Sequence, residues 1–256
     1  MEEAYQYEGL EASFYDVLDE LADFDDYDFY RWFVAAQPGS VLDVGCGTGR
    51  IMVPLAREGF DVYGLDASQE MLDLCREKLG DKGEGRLFLT DMRQFDLGRK
   101  FGTVMVPGFS LQMLKGEREL RACLESCRKH LESEGQLILS FYTPLEYLED
   151  KTRLGGLEKR KDKKIEGTGE RVVAYQGWKL DESSKRMMLE NRYELIDPEG
   201  VLKRFQDTNM VLFWYEIAWL RELLLSLGFG SCEDYGDFTF EEYSANNECL
   251  GIVARV

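Results

Sequence analysis

Three glycines at alternating positions, Gly45, Gly47 and Gly49, directly follow a short apolar run that contains Asp43. The stretch at residues 41–50 reads Val-Leu-Asp-Val-Gly-Cys-Gly-Thr-Gly-Arg, and a helical pattern follows at once. Glycine is favoured in such a loop where a ligand approaches the backbone closely or where the turn needs a positive φ. The pattern therefore predicts a strand, a tight loop and a helix start that together bind a nucleotide-like ligand.

Two further carboxylates follow at the ends of the next predicted strands. Asp66 ends the second strand, roughly twenty residues beyond the glycine loop, where an acid can bind both hydroxyls of a ribose. Asp91 and Met92 end the third strand, where a carboxylate can accept from the adenine amino group while the thioether covers the ring. Asp66 could instead be an acid near a helix N-cap, and Asp91 a turn residue. Their joint placement at consecutive strand ends favours one shared site.

Asp43 lies inside the first apolar strand, where a buried carboxylate needs a partner. It could hydrogen-bond the amides of the glycine loop, or face a ligand cation directly or through water. An acid at this place would repel a pyrophosphate, and the glycine spacing departs from the G-x-G-x-x-G pattern of dinucleotide-binding proteins. We therefore expect a ligand with an adenosine and a positive centre but no phosphate, which disfavours an NAD-dependent oxidoreductase.

The elements that must position these residues alternate between strands and helices. Strands are predicted at residues 41–44, 61–65, 86–90, 101–106 and 136–141. Helices are predicted at residues 8–21, 27–36, 49–58, 68–79 and 117–131. This order indicates right-handed βαβ units, and hence an α/β fold with a Rossmann-like, mostly parallel sheet.

The alternation stops after Tyr142. We expect residues 151–170 to be a solvated loop, because acids interrupt its basic run at 159–164 and aromatic residues are absent; a phosphate-binding segment is the alternative. A small antiparallel β insert is predicted from strands at residues 171–180, 186–196 and 201–209. A helix at 214–227 and strands at 231–240 and 248–256 then complete a seven-stranded sheet whose final strand is antiparallel. The expected divisions are residues 1–144, 145–212 and 213–256.

Composition restricts the partners and the compartment. The formal net charge is −18, which disfavours nucleic acid and anionic membranes as partners because their phosphates would be repelled. The six cysteines form no CxxC pair, so we expect reduced structural thiols and no metal site. The sequence shows no signal-peptide pattern and no apolar run near the roughly 20 residues of a membrane span. We therefore expect a cytoplasmic protein.

The glycine motif, Asp66 and the Asp91-Met92 pair resemble the successive motifs of class I S-adenosylmethionine-dependent methyltransferases. The resemblance extends from residue 41 to about residue 142 and includes the last helix and strands. It implies that the chain binds S-adenosylmethionine (SAM) and releases S-adenosylhomocysteine (SAH). It further implies that the glycine loop passes under the methionine moiety, that Asp66 binds the ribose and that Asp91 meets the adenine amino group. The cofactor-binding residues implied in this way are Asp43, Gly45, Cys46, Gly47, Gly49, Asp66, Ala67, Asp91, Met92 and Pro107.

Two other segments refine the resemblance. Residues 14–18 resemble the N-terminal helix of the small-molecule branch of the family, and the insert resembles in position that of the glycine and sugar-amine N-methyltransferases. The fourth strand is followed by Pro107-Gly108-Phe109 and lacks the Asn/Asp-Pro-Pro-Tyr/Phe motif, which counts against methylation of nucleobases or glutamine. Methyl transfer to a small-molecule nitrogen or oxygen is therefore implied. The alternative is a SAM- or SAH-binding protein without transferase activity. The insert is expected to act as a substrate lid or to form a homodimer.

Catalysis needs little from the protein if the donor is SAM. The sulfonium methyl group is already activated, so the main task is to align the acceptor in line with the S–CH3 bond. We assign no catalytic base, because the single histidine, His130, lies near a helix C-terminus where a charge-complementing or surface role is expected. Tyr15, Phe109 and Ser110 are expected to line the reaction centre. Substrate-pocket and sheet-packing roles remain open for four further aromatic residues: Tyr142, Tyr175, Trp178 and Phe205.

Overall fold

The structure, a computed structural model, describes residues 4–18, 25–151 and 154–256. The strands in these ranges are β1 (Val41–Val44), β2 (Val62–Asp66), β3 (Leu87–Leu89), β4 (Phe101–Val106), β5 (Leu131–Tyr142), β6 (Gly155–Lys164), β7 (Arg171–Asp181), β8 (Arg186–Ile196), β9 (Leu202–Phe213), β10 (Ser231–Gly236) and β11 (Cys249–Arg255). The helices are α1 (Gly9–Ser13), α2 (Tyr15–Leu18), α3 (Tyr27–Ala36), α4 (Met52–Glu58), α5 (Gln69–Leu79), α6 (Glu117–Lys129), α7 (Leu145–Glu149) and α8 (Ile217–Ser226).

The central sheet has seven strands in the order β3-β2-β1-β4-β5-β11-β10. β1 pairs in parallel with β2 and β4, and the parallel pairs β2–β3 and β4–β5 extend the sheet on each side. β11 runs antiparallel to both β5 and β10. The predicted Rossmann-like sheet with an antiparallel final strand is thus confirmed. The strand order reverses at β1, and ligands bind open α/β sheets outside the carboxyl ends of the strands at such a point.

Apolar side chains fill both faces of the central sheet. One core cluster packs α3, α4 and α5 against the sheet, and a second packs α6 and α8 against the other face. Strand β4 is buried along its whole length, as expected for a central parallel strand with helices on both sides. The carboxyl ends of β1 and β4 are therefore held rigidly beside each other.

The insert is a separate four-stranded antiparallel sheet in the order β6-β7-β8-β9. The solvated loop expected at residues 151–170 is wrong, because residues 155–164 form the edge strand β6. Its side chains are almost all exposed, so no hydrophobic alternation marks the strand in the sequence. Pairing with β7, which is partly buried, supplies the order that the composition of β6 does not. β9 ends at Phe213, one residue beyond the expected boundary at residue 212.

The N-terminal segment lies between the two sheets. Instead of one helix at residues 8–21, the described residues form two short helices, α1 and α2, interrupted at Phe14; residues 19–21 of the expected helix lie outside the described ranges. A third apolar cluster joins this segment to the insert, with Leu10 and Leu18 packed against Val172 and Tyr193. Among the helices that the structure describes, none has the length and apolar character needed to span a bilayer.

Candidate functional site

A cavity of about 340 Å³ lies at the carboxyl ends of β1, β2 and β4. Its walls are the glycine loop after β1, the segments that follow β2, β3 and β4, the N-terminal segment and the last residues of β9. A volume of this size is typical of small-molecule sites. Every wall comes from a different part of the chain, so the fold itself assembles the site.

The glycine loop forms the base of the cavity. The N–H groups of Gly45 and Cys46 donate to the carbonyl of Leu65 over 2.8 and 3.0 Å, which joins the loop to β2. Gly45 has a φ of +73°, and a Cβ at this position would lie 3.1 Å from Ser110 Oγ. Glycine is therefore required here by the backbone conformation and by the close approach of the loop after β4. Gly45, Cys46 and Gly47 all line the cavity, as expected.

Gly49 differs from the other two glycines because it does not lie on the cavity wall. A Cβ on Gly49 would lie 2.5 Å from Val53 Cγ2 and 2.7 Å from Cys75 Sγ. The third glycine of the motif lies where the loop enters α4, and its missing side chain lets the loop pack against α4 and α5. The structure thus gives Gly49 a packing role, and its contact with a cofactor stays a prediction.

Asp43 is a buried carboxylate on the cavity wall, with only 1% of its surface exposed. Its Oδ1 has no hydrogen-bond partner among the described residues. Burial raises the pKa of Asp43 to about 7; Arg50 acts against this increase, and Asp66 and Asp26 add to it. The glycine-loop amides donate to other acceptors, so the alternative in which Asp43 binds them is not observed. An unpaired buried carboxylate oxygen favours a cationic ligand group.

Arg50 supplies a positive charge to the same end of the cavity. Its guanidinium forms a two-pronged ion pair with Asp26, whose side chain is almost fully buried. The bond from Nη2 to Asp26 Oδ2 is 2.8 Å long. The cavity wall therefore carries both a carboxylate and a guanidinium, which suits a ligand that carries both an ammonium and a carboxylate.

Asp66 projects from the carboxyl end of β2 toward the glycine loop. Its Oδ2 accepts from Gly47 N at 2.8 Å and its Oδ1 accepts from Ser68 N at 2.9 Å. Burial raises the pKa of Asp66, while these amide hydrogen bonds act in the opposite direction. Ser68 in turn caps α5 by accepting from Met71 N. The N-cap of α5 is therefore Ser68 and not Asp66. Each oxygen of Asp66 can accept a further hydrogen bond from a ligand in the cavity.

Asp91 follows β3 and is held by Arg93, a residue that the sequence analysis did not identify. Arg93 donates to Asp91 from its backbone N at 2.8 Å and from Nη2 at 2.5 Å. Burial tends to raise the pKa of Asp91, but the hydrogen bonds and the charge of Arg93 outweigh it and hold the pKa below its usual range. Arg93 also donates from Nη1 to Glu119 at the start of α6, over 3.0 Å. The only signal in the sequence was an arginine two positions after the acid.

Five of the remaining expected residues line the cavity. They are Ala67, Met92 and Pro107 of the expected cofactor site, and Tyr15 and Ser110 of the expected reaction centre.

Phe109 is not on the cavity wall, in contrast to the expectation for the reaction centre. Its backbone is left-handed, with a φ of +63°, and its ring packs in the core against Tyr142 and Phe238. Gly108 and Ser110, on either side of it, face the cavity instead. Phe109 therefore fixes the turn after β4 by packing its ring into the core, on the side away from the cavity.

The N-terminal segment contributes two further aromatic residues that sequence reasoning missed, Tyr5 and Tyr7. The rings of Tyr5, Tyr7 and Tyr15 form a series of edge-to-face contacts with centroid separations of 5.3 and 5.4 Å. The hydroxyl of Tyr5 also donates to the buried carboxylate of Glu11 at 2.7 Å. Tyr193 in β8 donates to the same carboxylate, which joins the segment to the insert. No local pattern in the sequence marks these residues.

Gln112 connects the loop after β4 to the insert and was also missed. Its amide is buried, and Nε2 donates to the carbonyls of Tyr142 and Phe213, each over 2.9 Å. Oε1 accepts from the N–H of Tyr142. Since Phe213 lies on the cavity wall at the end of β9, this amide ties the end of β9 to the loop after β4.

The aromatic residues left open in the sequence analysis pack elsewhere. Tyr142 is buried in the core, Trp178 stacks on Tyr147 at 5.0 Å, and Phe205 is exposed on the outer face of the insert. Neither these residues nor Tyr175 line the cavity.

His130 does not lie on the surface, in contrast to the expected role there. It is 2% exposed, its Nδ1 donates to Ser126 O over 2.7 Å, and its Nε2 accepts from Leu97 N over 3.0 Å. Both ring nitrogens are used inside the fold, so the surface role is replaced by a structural one. Across the described parts of the chain, no three His, Cys, Asp or Glu side chains are grouped as a metal site would require.

Comparison with known proteins agrees with this geometry. Residues 41–135 match a protein family described as "Methyltransferase domain". The putative methyltransferase YqeM of Bacillus subtilis (strain 168) is 32% identical over 146 residues, which cover 56% of this chain and 58% of that protein. A dTDP-3-amino-3,4,6-trideoxy-alpha-D-glucopyranose N,N-dimethyltransferase of Streptomyces venezuelae is 29% identical over 180 residues, which cover 70% of this chain and 71% of that enzyme. The similarity to YqeM thus spans little more than half of its length.

Similarity in three dimensions extends further along the chain. The crystal structure of an S-adenosylmethionine-dependent methyltransferase from Clostridium acetobutylicum ATCC 824 superposes with a TM-score of 0.77 at 18% identity, covering 95% of this chain and 98% of the other. At that identity the superposition establishes the fold, including the insert. Residues 41–135 thus match a methyltransferase domain, and nearly the whole chain shares the fold of the superposed methyltransferase.

Proposed function

We propose that this protein is an enzyme that transfers a methyl group from SAM to a small-molecule acceptor. The observation that carries the proposal is that Asp43 near the end of β1, Asp66 at the end of β2 and Asp91 after β3 meet the glycine loop around one cavity. The orphaned oxygen of Asp43 and the surface left open by Gly45 fit the methionine end of SAM. The relatives with sugar N,N-dimethyltransferase names make small amines the first acceptors to test.

Each part of SAM has matching residues along the cavity. Asp43 and Arg50 would hold the ammonium and the carboxylate of the methionine moiety. Asp66 would accept from the ribose hydroxyls, and Asp91 from the adenine amino group, with Ala67 and Met92 beside the ring. When bound, SAM supplies a methyl group on a sulfonium sulfur that is already activated for transfer.

The task left to the chain is to bind, orient and exclude water. Ser110 and Tyr15 both line the cavity, one on the loop after β4 and the other in the N-terminal segment. Tyr7 and the end of β9 also line the cavity and would enclose the acceptor, which favours transfer because charge is dispersed in the transition state. We assign no residue as a general base.

Calorimetric titration of SAM, SAH and NAD tests the ligand. SAM and SAH are expected to bind and NAD is not. Asp66→Ala is expected to weaken SAH affinity roughly 10- to 100-fold, the loss typical of hydrogen bonds to a charged group. Asp61→Ala is the matched control, because Asp61 precedes the opposite end of β2 and pairs with Arg86 away from the cavity. Unchanged SAH affinity in Asp66→Ala would contradict the ribose assignment.

Turnover separates the enzyme from the alternative of a SAM-binding protein without transferase activity. Mass spectrometry of products over amines, phenols and carboxylic acids, with SAM as donor, is expected to reveal a methylated member of the panel. SAH binding without transfer to any member would favour the alternative.

We also propose the assembly, the compartment and the division of the chain. Residues 145–212 are proposed as a unit that covers the acceptor and pairs with a second copy through its exposed β9 edge, which carries Leu202 and Phe205 on the surface. Sedimentation should then report a dimer. The six free cysteines fit a reducing compartment, so we propose the cytoplasm, with no nucleic acid as partner because of the net charge of −18.

A further inference from the structure

Arg93 is a buried arginine on the wall of the cavity, with 5% of its surface exposed. It folds back along the loop after β3 and meets both oxygens of Asp91, with Nε at 3.0 Å from Oδ1 and 2.9 Å from Oδ2. Nη2 adds a bond of 2.5 Å to Oδ2. A planar guanidinium that binds a carboxylate at both oxygens fixes the direction of the carboxylate as well as its charge.

The other side of the guanidinium is fixed by α6. Nη1 lies 3.0 Å from Oε1 of Glu119, whose side chain is also buried. The second oxygen of Glu119 accepts from the N–H of Lys115 over 2.9 Å. Arg93 therefore cannot rotate away from Asp91 without breaking contacts to a rigid helix.

This fixed carboxylate faces the cavity with a defined chemistry. About a third of the Asp91 side chain, 32%, remains exposed, and Asp91 lies on the cavity wall. An ionised carboxylate accepts hydrogen bonds and donates none, so it attracts the amino group of adenine and repels an oxo group at the same position. A protonated carboxyl could donate to the oxo group and would lose this distinction.

We propose that Arg93 is a positioning residue that makes the nucleobase end of the site selective for an aminopurine over an oxopurine, by holding the Asp91 carboxylate aimed at the cavity. The inference rests on the proposed function, since it requires the adenine of SAM to lie against Asp91. The low pKa of Asp91 agrees with this arrangement. A bridge that served stability alone would leave the selectivity between the two purines unaltered when it is broken.

The experiment compares SAH with S-inosylhomocysteine, in which an oxo group replaces the adenine amino group. Calorimetry on the full chain gives the ratio of the two affinities for the unaltered protein, Arg93→Met and Arg93→Lys. The unaltered protein is expected to prefer SAH by roughly 100-fold, and Arg93→Met to lower that preference about tenfold or more. Arg93→Lys keeps the positive charge but loses the planar guanidinium that binds both oxygens of Asp91, so an intermediate ratio of affinities is expected. Arg192→Met, which breaks an exposed pair with Asp207 away from the cavity, is expected to leave the ratio unchanged.

A second set of variants protects the test against misfolding of Arg93→Met. Asp91→Asn is expected to lower the SAH preference as much as Arg93→Met does, and Arg93→Lys in the Asp91→Asn background is expected to lower it no further. A SAH preference that stays unaltered in Arg93→Lys, or a further loss in that double variant, overturns the inference alone. Failure of the unaltered protein to bind SAH at all overturns the proposed function instead.

Discussion

Replacing Asp43 by Asn is expected to remove a pH dependence from cofactor binding. The carboxylate is buried on the cavity wall, has an unpartnered Oδ1 and has a pKa that burial raises to about 7. Arg50 and a backbone hydrogen bond from Met52 lower this pKa, whereas Asp66 and Asp26 raise it. We expect the ligand ammonium to bind only the ionised form. SAH binding must then release a proton whenever the ligand-free protein holds one.

The size of the effect follows from that pKa. Below pH 7, SAH affinity should fall by about tenfold for each pH unit, and above pH 7 it should level off. Affinity at pH 5 should therefore be about 100-fold weaker than at pH 8, which corresponds to about 2.7 kcal/mol. The Asp43→Asn variant should bind more weakly at pH 8, by roughly 10- to 100-fold, but with a nearly flat profile.

Titration calorimetry from pH 5 to pH 8 measures both quantities. Adenosine is the matched ligand control, because it keeps the ribose and the base but lacks the ammonium; it reports any titration of Asp66 or Asp91 separately. The stability of the ligand-free protein gives an independent check on the direction of the Asp43 pKa shift. Asp43 binds its proton more tightly when folded than the usual 3.8 allows, so the free energy of unfolding should fall as the pH rises toward 7, and less so in Asp43→Asn. An SAH profile as steep in Asp43→Asn as in the unaltered protein would refute the assignment.

Two further predictions concern packing around the site. Gly49→Ala should lower the free energy of unfolding by about 1–3 kcal/mol more than Gly59→Ala, measured by urea denaturation, because both glycines have a positive φ but only the Cβ at 49 would meet atoms within 4 Å. Equal losses in the two variants would argue against the packing role. Gln112→Glu should cost about 2 kcal/mol or more, because a carboxylate cannot donate to the carbonyl of Phe213, and hydrogen exchange should rise at the end of β9. Unchanged exchange there would show that the amide does not hold the insert.

Elements governed by local sequence were predictable almost to the residue. The bounds of α3, β1, β4 and β8 agree with the predicted ones. α3 stops before Pro38-Gly39, which cannot continue a helix, and the strands are apolar or alternating runs between turn residues. The βαβ order then determined the parallel sheet, since chirality and short connections leave few alternatives.

Elements governed by partners elsewhere in the chain were not predictable. β6 has the composition of a solvated segment, and it is a strand only because β7 pairs with it over residues 155–164. The break in the N-terminal helix at Phe14 has the same kind of origin, because α1 contacts α5, β8 and β9 whereas α2 contacts β6. Periodicity reports which face of an element is buried, but not that two halves of it pack against different neighbours.

The candidate site also contains residues that local sequence identifies and residues that depend on distant partners. The glycine loop, Asp66 and Asp91 could be identified because each residue immediately follows or ends its own strand, so sequence position alone places it at the ligand-binding edge. Arg93 and Gln112 act through partners 26 and 101 residues away, Glu119 and the carbonyl of Phe213. No local sequence pattern identifies partners that are so far apart in the chain. The same holds for Tyr5 and Tyr7, which line the cavity.

This division has a consequence for specificity. The residues that would hold SAM are attached to the central sheet, whose strands are buried on both faces and tolerate little displacement. The N-terminal segment and β9, which we propose as the acceptor side, are joined to each other by Gln206: its Oε1 accepts from Leu10 N and its Nε2 donates to Glu8 O. They contact the core through Gln112 and through apolar side chains of the insert such as Met187 and Met210. Changes in the insert can therefore reshape the acceptor pocket while the donor site keeps its geometry, which is how one fold can present the same methyl donor to different acceptors.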